Sequence, residues 1–561
     1  MTPTTVERVR RDLMLAVTGA AAMVLAVTPV SLWPAGLVAW VPLAIVALSG
    51  DSKRAALVGW LQGTIAQSAA LLSVPAALRV GGGASASWSY ALAALLAIFE
   101  GARSGVVGFI VARAVRNRWH LAVILPTALV TAEWLYPMFF PWTTGLFLQG
   151  APVLMQGAEL GGALALSLWV GALDASIALA WKERTDRKRL TGYIAAPVIG
   201  LAAVASFGFL QMRSVDRRVS ASPEASVGIV QGNLATSTRE LRDPLSEYRA
   251  ASLTLLRPGP VDLLVWPETA ISYPTDTERV PAVLARIFEG DLPHIGSQRL
   301  DTPILVGMVI DRTDQESAAH VRERNPDGSW KLPSKRRFNS AVLAARDGSV
   351  RGIYDKRELL MFGEYLPAEP KFPWLRRLLP HAGAFSAGNS PRPLSLNGWG
   401  IATLICYEDI LDDLVRDTVN AGDTDLLVDI SSDAWFRRSE VPALHLALAR
   451  LRSIEHRRFL VHATTTGVSA VVDPTGRIVA LLPPNSPASG VASIRWMRGR
   501  TLYEDLGETP RWGTLGLVLL FVTISPRKLA SIGRATIAFG RGKAPRAKDH
   551  INPESTENAS L

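Results

Sequence analysis

The segment IATLICYED, residues 401–409, places a continuous apolar run directly before a cysteine and two carboxylates. A short run that is apolar at nearly every position predicts a strand buried on both faces of a sheet. Four further runs have the same character: 226–231, 261–266, 304–310 and 426–431. Together with a helix-like stretch at 444–458, these runs predict a layered domain of mixed strands with helices outside, in the α/β or α+β class.

Two turn signals add hairpins to this domain. Asp347-Gly348 separates two strand-like runs within 340–354, and Pro-Thr-Gly at 474–476 separates two others within 469–482. Short loops that contain glycine between such runs are typical of β-hairpins. The region 225–500 is therefore expected to fold as one unit.

The first 214 residues differ sharply from this region because they consist of long apolar runs. Charged residues make up only 19% of the 561-residue chain, and the mean hydropathy is +0.20, whereas a soluble protein carries about a quarter charged residues. Most of the runs reach the ~20 residues that cross a bilayer as a helix. Eight spans are predicted, at 13–30, 32–49, 55–78, 88–112, 119–139, 153–181, 191–211 and 513–526.

The distribution of the net charge of +10 predicts a topology. Basic residues cluster before the first apolar run, after the second, fourth and sixth, and again in 527–561. The short connections after the first, third and fifth runs contain one Lys or Arg, which is Arg79. This alternation follows the positive-inside rule. Both termini are therefore expected in the cytoplasm and the region 225–500 outside it, and no nucleic-acid partner is predicted.

Three ionisable side chains stand where predicted strands end, namely Glu268, Lys356 and Cys406. Residues where strands meet loops are well sited for a shared pocket. Acyl transfer through sulfur needs a nucleophile, a base and a group that holds the developing oxyanion. Glu, Lys and Cys supply that set, although a structural cysteine with two surface charges is the alternative. Cys406 is the only cysteine, and no Cys/His cluster has metal-ligand spacing, so neither a disulfide within the chain nor a metal is predicted.

The residues around these positions resemble the three catalytic blocks of the nitrilase superfamily: WPET at 266–269, YDKRELLMFGEYLP at 354–367 and ICYED at 405–409. With spans before and after the domain, and SDAWF at 432–436, the chain resembles the bacterial apolipoprotein N-acyltransferase family. The resemblance implies an α+β membrane protein that combines a polytopic helical bundle of about eight spans with an extracytoplasmic, nitrilase-like αββα sandwich.

The implied division of the chain has four parts. Residues 1–214 form an N-terminal transmembrane bundle of about seven helices, and residues 225–500 form the catalytic domain. A C-terminal transmembrane helix at 513–526 leads to a basic cytoplasmic tail at 527–561. The implied location is the bacterial cytoplasmic (inner) membrane, with the catalytic domain on the periplasmic side.

The resemblance also implies roles for individual residues. Cys406 matches the nucleophile, Glu268 the general base and Lys356 the lysine that stabilises the oxyanion. Three further residues have supporting roles. Glu364 orients the lysine and the cysteine, the backbone N–H of Tyr407 donates to the oxyanion, and the side chains of Tyr407 and Glu408 shape the pocket. Plain salt bridges for the two glutamates and core packing for the tyrosine are the alternatives.

Lys335 is a competing lysine between the glutamate and cysteine blocks. It precedes FNSAVL rather than following Tyr-Asp, so a solvated loop role is expected for it. Two departures from the family pattern flank the expected acyl pocket: Ser432 stands where Asn is common, and Arg437 stands where Gly usually follows.

The segment 365–395 is rich in proline and apolar residues. Phe372, Trp374 and Leu375 are candidates for a lid that dips into the outer leaflet above the site. A packed surface loop is the alternative.

The implied reaction needs no cofactor. A phospholipid, typically phosphatidylethanolamine, donates an acyl chain to Cys406, and a diacylglyceryl apolipoprotein accepts it. One alternative is a membrane-tethered nitrilase-type amidase or acyl hydrolase that passes the acyl group to water. Another is a non-catalytic transporter or scaffold, which the intact glutamates, lysine and cysteine disfavour.

Overall fold

The computed structural model describes the chain apart from residues 1–4, 28–31, 234–242, 291–297, 314–334, 368, 370, 437–438 and 532–561. Its N-terminal part is mainly helical. The helices there are α1 (Thr5–Val27), α2 (Val41–Ala47), α3 (Ser52–Ala70), α4 (Val74–Val80), α5 (Ala86–Arg116), α6 (Leu121–Leu135), α7 (Pro152–Met155), α8 (Ala158–Lys182) and α9 (Arg187–Ala221).

Some of the predicted spans form single long helices and others are broken. Among the residues that the structure describes, α5, α8 and α9 are each long and apolar enough to cross a membrane, and α3 with α4 would make a fourth span bent by 50°. The predicted span 32–49 is a 3₁₀ turn followed by the short helix α2. The total of about eight spans and their topology therefore stay predictions.

Helices α3 and α5 pack closely because glycines face each other across the contact. A Cβ on Gly63 would lie 2.3 Å from the carbonyl oxygen of Gly101, and a Cβ on Gly101 would lie 2.4 Å from the backbone nitrogen of Thr64. Small residues allow this close approach of helix backbones, which is a common way for membrane helices to associate.

Two β-sheets follow the helical part, and they contain the predicted strands and both predicted hairpins. The first sheet has the order β13-β1-β2-β4-β5-β6, with β3 on β4: β1 (Glu224–Gln231), β2 (Leu263–Val265), β3 (Ile271–Asp276), β4 (Ile304–Thr313), β5 (Lys335–Ala344), β6 (Val350–Asp355) and β13 (Ala488–Arg495). The second has the order β12-β11-β10-β9-β8-β7: β7 (Leu394–Leu396), β8 (Trp399–Ile405), β9 (Leu426–Ser431), β10 (Leu460–Thr464), β11 (Ala470–Val472) and β12 (Ile478–Leu481).

The two sheets pack face to face and helices cover their outer faces. Val265 and Leu343 of the first sheet share a core with Ile405, Val428 and Val461 of the second. The covering helices are α10 (Pro244–Leu255) and α11 (Val280–Glu289) on the first sheet, and α13 (Asp412–Asn420) and α14 (Val441–His456) on the second. The domain is therefore an αββα sandwich, in which strands buried on both faces need apolar residues throughout.

Three shorter helices complete the described chain: α12 (Leu375–Leu378), α15 (Leu502–Leu506) and α16 (Thr509–Thr523). The predicted eighth span at 513–526 falls largely within α16, a helix of 15 residues. Most of the predicted tail 527–561 lies outside the described residues.

A buried arginine at the end of α14 attaches the sandwich to the helical part. The guanidinium of Arg457 donates to Gln156 Oε1 at 2.7 Å and forms an ion pair with Glu159 Oε2, also at 2.7 Å. The Glu455 carboxylate accepts a hydrogen bond from the backbone N–H of Ala163 at 2.8 Å. Because each partner would be left buried and unpaired without the other, these contacts resist separation of the two parts.

We expect Gly101→Ala to lower the stability of the helical part, because the added methyl group meets the backbone of α3. Overpacking of this kind costs about 1–3 kcal/mol, and the measurement is the thermal unfolding midpoint of the purified protein in detergent. Gly192→Ala in α9 is the matched control, since nothing lies within 4 Å of its added Cβ. Its midpoint should stay level or rise, because alanine favours a helix by ~1 kcal/mol over glycine. Equal loss in both variants would contradict the packing role.

Candidate active site

The three residues singled out from the sequence each follow a strand of the sandwich. Glu268 comes shortly after β2 and Lys356 directly after β6, both in the first sheet, while Cys406 directly follows β8 in the second. All three line one cavity of about 350 Å³. The structure therefore brings together side chains that lie far apart in the sequence.

Lys356 lies between two carboxylates at the centre of this group. Its Nζ is 2.8 Å from Glu364 Oε2 and 3.8 Å from Glu268 Oε1, and its side chain is 1% exposed. Glu364 therefore neighbours the lysine as the resemblance implies. A buried ammonium requires such partners because an unpaired charge is very costly away from water.

Asn339 is a site residue that the sequence analysis missed. Its side-chain amide donates to Glu268 Oε1 at 2.6 Å and to Glu364 Oε1 at 2.9 Å, and so joins the two carboxylates. Its backbone oxygen also accepts from the N–H of Lys356 at 2.8 Å. The sequence contained a signal, since an asparagine beside the apolar run of β5 requires buried hydrogen-bond partners.

Electrostatics determine where the protons lie. Burial alone would lower the pKa of Lys356, but the carboxylates of Glu364 and Glu268 outweigh burial and hold that pKa above its ordinary value. Burial, and next the Glu268 carboxylate, raise the pKa of the Cys406 thiol, while Lys356 acts in the opposite direction. The thiol is therefore protonated at neutral pH, so sulfur chemistry here requires a base.

Cys406 has a strained backbone, with φ of +57°. A residue with a side chain rarely adopts this left-handed conformation, and such strain persists only where the surroundings enforce it. The turn that begins at Cys406 runs to Ile410 and leads from β8 towards α13. The sharp turn presents the thiol at the cavity.

Glu408 enforces the arrangement of two site segments. Its carboxylate accepts hydrogen bonds from the backbone N–H groups of Ile405, Arg357 and Glu358 at 2.9, 2.6 and 3.0 Å, and from the hydroxyl of Tyr354 at 2.9 Å. Burial raises the pKa of Glu408 to about 7. This side chain ties the strand end that carries Lys356 to the turn that carries Cys406.

The cavity continues from these residues into the helical part. Its wall includes Gln67 of α3, Glu100 of α5 and the rings of Phe140 and Trp142. The neighbouring Tyr407 donates its hydroxyl to the backbone oxygen of Phe139 at 2.8 Å. Further apolar side chains of the sandwich line it: Ile410, Trp435, Phe436, Val441, Leu444 and Leu448. The cavity surface is thus mostly apolar, as it is in small-molecule sites, and its polar side chains come from both the sandwich and the helical part.

Lys335 lies elsewhere, at the start of β5. Its Nζ pairs with Asp276 Oδ1 at 2.5 Å, and its side chain is 49% exposed. Of the two departures from the family pattern, Ser432 lines the cavity, and Arg437 lies outside the described residues.

The lid candidates divide into exposed and packed residues. Phe372 and Trp374 are 47% and 53% exposed, and their rings contact each other edge to face. Leu375 packs with Leu379 against Ala84 of the loop between α4 and α5. The segment is therefore held against the helical part, with two aromatic rings left on its surface.

Comparisons with known proteins match both parts of the chain. The carbon-nitrogen hydrolase family model matches residues 226–496. The model of the apolipoprotein N-acyltransferase N-terminal domain matches residues 19–176. The sandwich and the helical part thus each match a described family domain.

Three relatives, each named apolipoprotein N-acyltransferase, are similar over much of their length. The protein of Azotobacter vinelandii is 32% identical over 68% of this chain and 68% of its own. That of Rhodopseudomonas palustris is 30% identical over 78% of each chain. That of Geobacter metallireducens is 25% identical over 92% of this chain and 96% of its own. The chain described here belongs to the apolipoprotein N-acyltransferase family.

Proposed function

We propose that this protein transfers an acyl chain from a phospholipid, through a thioester on Cys406, to the α-amino group of the diacylglyceryl-cysteine that begins an apolipoprotein. The observation that supports this proposal most directly is the shared cavity. Glu268, Lys356 and Cys406 line the same space as side chains of α3 and α5. A site of this kind suits a reactive group attached to a long apolar chain.

In the first half-reaction, Glu268 takes the proton of the Cys406 thiol and the sulfur attacks the sn-1 ester carbonyl of the phospholipid. The Lys356 ammonium and the backbone N–H of Tyr407 hold the negative oxygen of the tetrahedral intermediate. When the C–O bond breaks, Glu268 returns the proton to the leaving alkoxide. The products are a thioester and a lysophospholipid.

In the second half-reaction, the α-amino group of the apolipoprotein attacks the thioester carbonyl. Glu268 takes a proton from the nitrogen, and the C–S bond breaks to give an amide. The same proton then returns to the sulfur, which restores the thiol. Two half-reactions through one covalent intermediate give ping-pong kinetics.

The positions of the charges support this division of roles. Lys356 stays protonated because two carboxylates surround it, so it is suited to stabilise an oxyanion rather than to act as a base. The role of general base is therefore assigned to the carboxylate of Glu268. Asn339 and Glu364 hold both groups in place.

We further propose phosphatidylethanolamine as the usual donor and the inner membrane as the location. The sandwich lies on the periplasmic side and both termini are cytoplasmic, as the alternation of basic residues along the sequence indicates. Phe372 and Trp374 form the surface of a lid that contacts the outer leaflet, since exposed aromatic rings favour the membrane interface.

The first test is the intact mass of the full-length protein after incubation with phospholipid and no acceptor. We expect a fatty-acyl increment that maps to Cys406 and is removed by hydroxylamine or by a lipoprotein peptide, and no increment in Cys406→Ala. An unmodified mass with steady release of free fatty acid would indicate the hydrolase instead. Retained transfer in Cys406→Ala would exclude the Cys406 thioester as the intermediate.

Two lysine variants test the assignment of the oxyanion group. Lys356→Ala should slow acyl-enzyme formation by about 10²–10³-fold, because a stabilising donor is lost. Lys335→Ala is the matched control and should keep a rate close to that of the wild-type protein, because an exposed ion pair contributes little. The measurement is the single-turnover rate of the mass increment. Equal losses at both positions would refute the role of Lys356.

Asn339→Ala should slow the same step about tenfold or more, because hydrogen bonds to charged groups are worth about 1.5–3 kcal/mol. Without the amide, the two carboxylates beside Lys356 lose the group that joins them. Asn420→Ala, at the exposed end of α13, is the control. A rate for Asn339→Ala that matches this control would show that the amide has no part in positioning the site.

A further inference from the structure

Beside the catalytic cavity, four side chains that are distant in sequence converge on one point. Asp409 lies in the turn that begins at Cys406, Asp429 lies on β9, His445 on α14 and His462 on β10. One ligand atom from each lies within 4.8 Å of all the others. Of these four residues, His445 lines the cavity and the other three lie behind its wall.

The sheet places two of these groups side by side. Asp429 and His462 are direct partners in the parallel pair β9–β10. Alternation along each strand puts them on the same face as Leu427 and Leu460, which pack against the covering helices. Two polar side chains therefore interrupt an apolar layer between the second sheet and α14.

The atoms are at the separations of a coordination shell. His445 Nε2 lies 2.8 Å from Asp409 Oδ1, and His462 Nδ1 lies 3.2 Å from Asp409 Oδ2 and 3.1 Å from Asp429 Oδ2. The side chains of Asp409, Asp429 and His462 are fully buried. Bulk solvent therefore does not reach these charged groups.

Hydrogen bonds account for only part of this arrangement, namely the contact of 2.8 Å between His445 Nε2 and Asp409 Oδ1. Among the described residues, His462 Nδ1, Asp409 Oδ2 and both carboxylate oxygens of Asp429 have no hydrogen-bond partner. The two contacts of His462 Nδ1 lack hydrogen-bond geometry, and one N–H cannot serve two carboxylates equally. Buried polar atoms of native proteins are normally satisfied, and unsatisfied ones point to a missing water or ion.

Asp433 supplies the orienting contact that a metal-bound histidine usually has. Its Oδ1 lies 3.2 Å from His445 Nδ1. Nδ1–H donates to this carboxylate, and Nε2–H donates to Asp409 Oδ1. When Nε2 gives up its proton, its lone pair becomes available to an ion while Nδ1 stays fixed by Asp433. Carboxylates that fix the tautomer of a ligating histidine in this way are a regular feature of metal sites.

We propose that Asp409, Asp429, His445 and His462 bind a divalent transition-metal ion, with Zn²⁺ as the best fit. Two imidazole nitrogens and two carboxylate oxygens suit zinc, whose bonds of about 2.0–2.2 Å in a tetrahedron place neighbouring ligand atoms about 3.3 Å apart. Ca²⁺ and Mg²⁺ prefer six or more oxygen ligands. Four protein ligands leave no open position, so the site is structural.

The ion would connect four elements of the sandwich. It would fix the Asp409 end of the Cys406 turn to β9, β10 and α14, and its charge would balance the buried carboxylates. It performs no step of acyl transfer, so this inference stands independently of the proposed function.

Metal content is the decisive measurement on the full-length protein purified in detergent. We expect about one zinc ion per chain by elemental mass spectrometry, retained in His120→Ala, an exposed histidine control, and lost in Asp429→Asn and His462→Ala. Co²⁺ added to the chelator-treated protein should give the strong visible absorption of a tetrahedral site. Zn²⁺ added to the same protein should raise its unfolding midpoint.

Two results would overturn the proposal. One is a wild-type protein that contains only traces of transition metal and shows no visible absorption after Co²⁺ is added. The other is equal zinc in the unmodified protein and in both ligand variants, which would place the ion elsewhere. If the variants do not fold, as judged by gel filtration, the zinc content and Co²⁺ spectrum of the unmodified protein decide the question.

Discussion

The candidate site depends on one buried cation held between two carboxylates. Lys356 is almost completely excluded from water, and Glu364 and Glu268 are its partners. Removing Glu364, the closer of the two, would leave the buried ammonium with only the carboxylate 3.8 Å away, and breaking a buried pair in this way is strongly destabilising. Asn339 joins the two glutamates, and Glu408 binds the backbone beside both Lys356 and Cys406. The group around the lysine thus connects the middle of β5 to the ends of β6 and β8.

A second constraint comes from the contact between the sandwich and the helical part. Arg457 is buried against Glu159 and Gln156, and Tyr407 next to the cysteine donates to a backbone oxygen beyond α6. The cavity therefore has walls from both parts of the chain. In the proposed reaction both substrates carry lipid chains, and such a wall lets an acyl chain stay in apolar surroundings while its carbonyl reaches the thiol. This gives a physical reason for joining a hydrolase-like sandwich to a helical bundle.

Much of the sandwich could be predicted because its strands are buried on both faces. Continuous apolar runs at 226–231, 304–310, 401–406 and 426–431 correspond to β1, β4, β8 and β9, and the Asp347-Gly348 turn joins β5 to β6. The helical part was harder to predict, since hydropathy cannot show where an apolar run bends or breaks. The run 55–78 is divided between α3 and α4, and the run 32–49 starts as a 3₁₀ turn.

The sequence was sufficient to place the motifs at the ends of strands, to group Glu268, Lys356 and Cys406, and to prefer Lys356 over Lys335, because short motifs at strand ends are local features. Which polar residues join them is known from the three-dimensional fold alone. Asn339 stands between the two glutamates, and Asp409, Asp429, His445 and His462 meet although no spacing pattern links them. Contacts of this kind arise from the pairing of strands and the packing of α14 on the sheet, and a linear pattern does not encode which buried atoms will face each other.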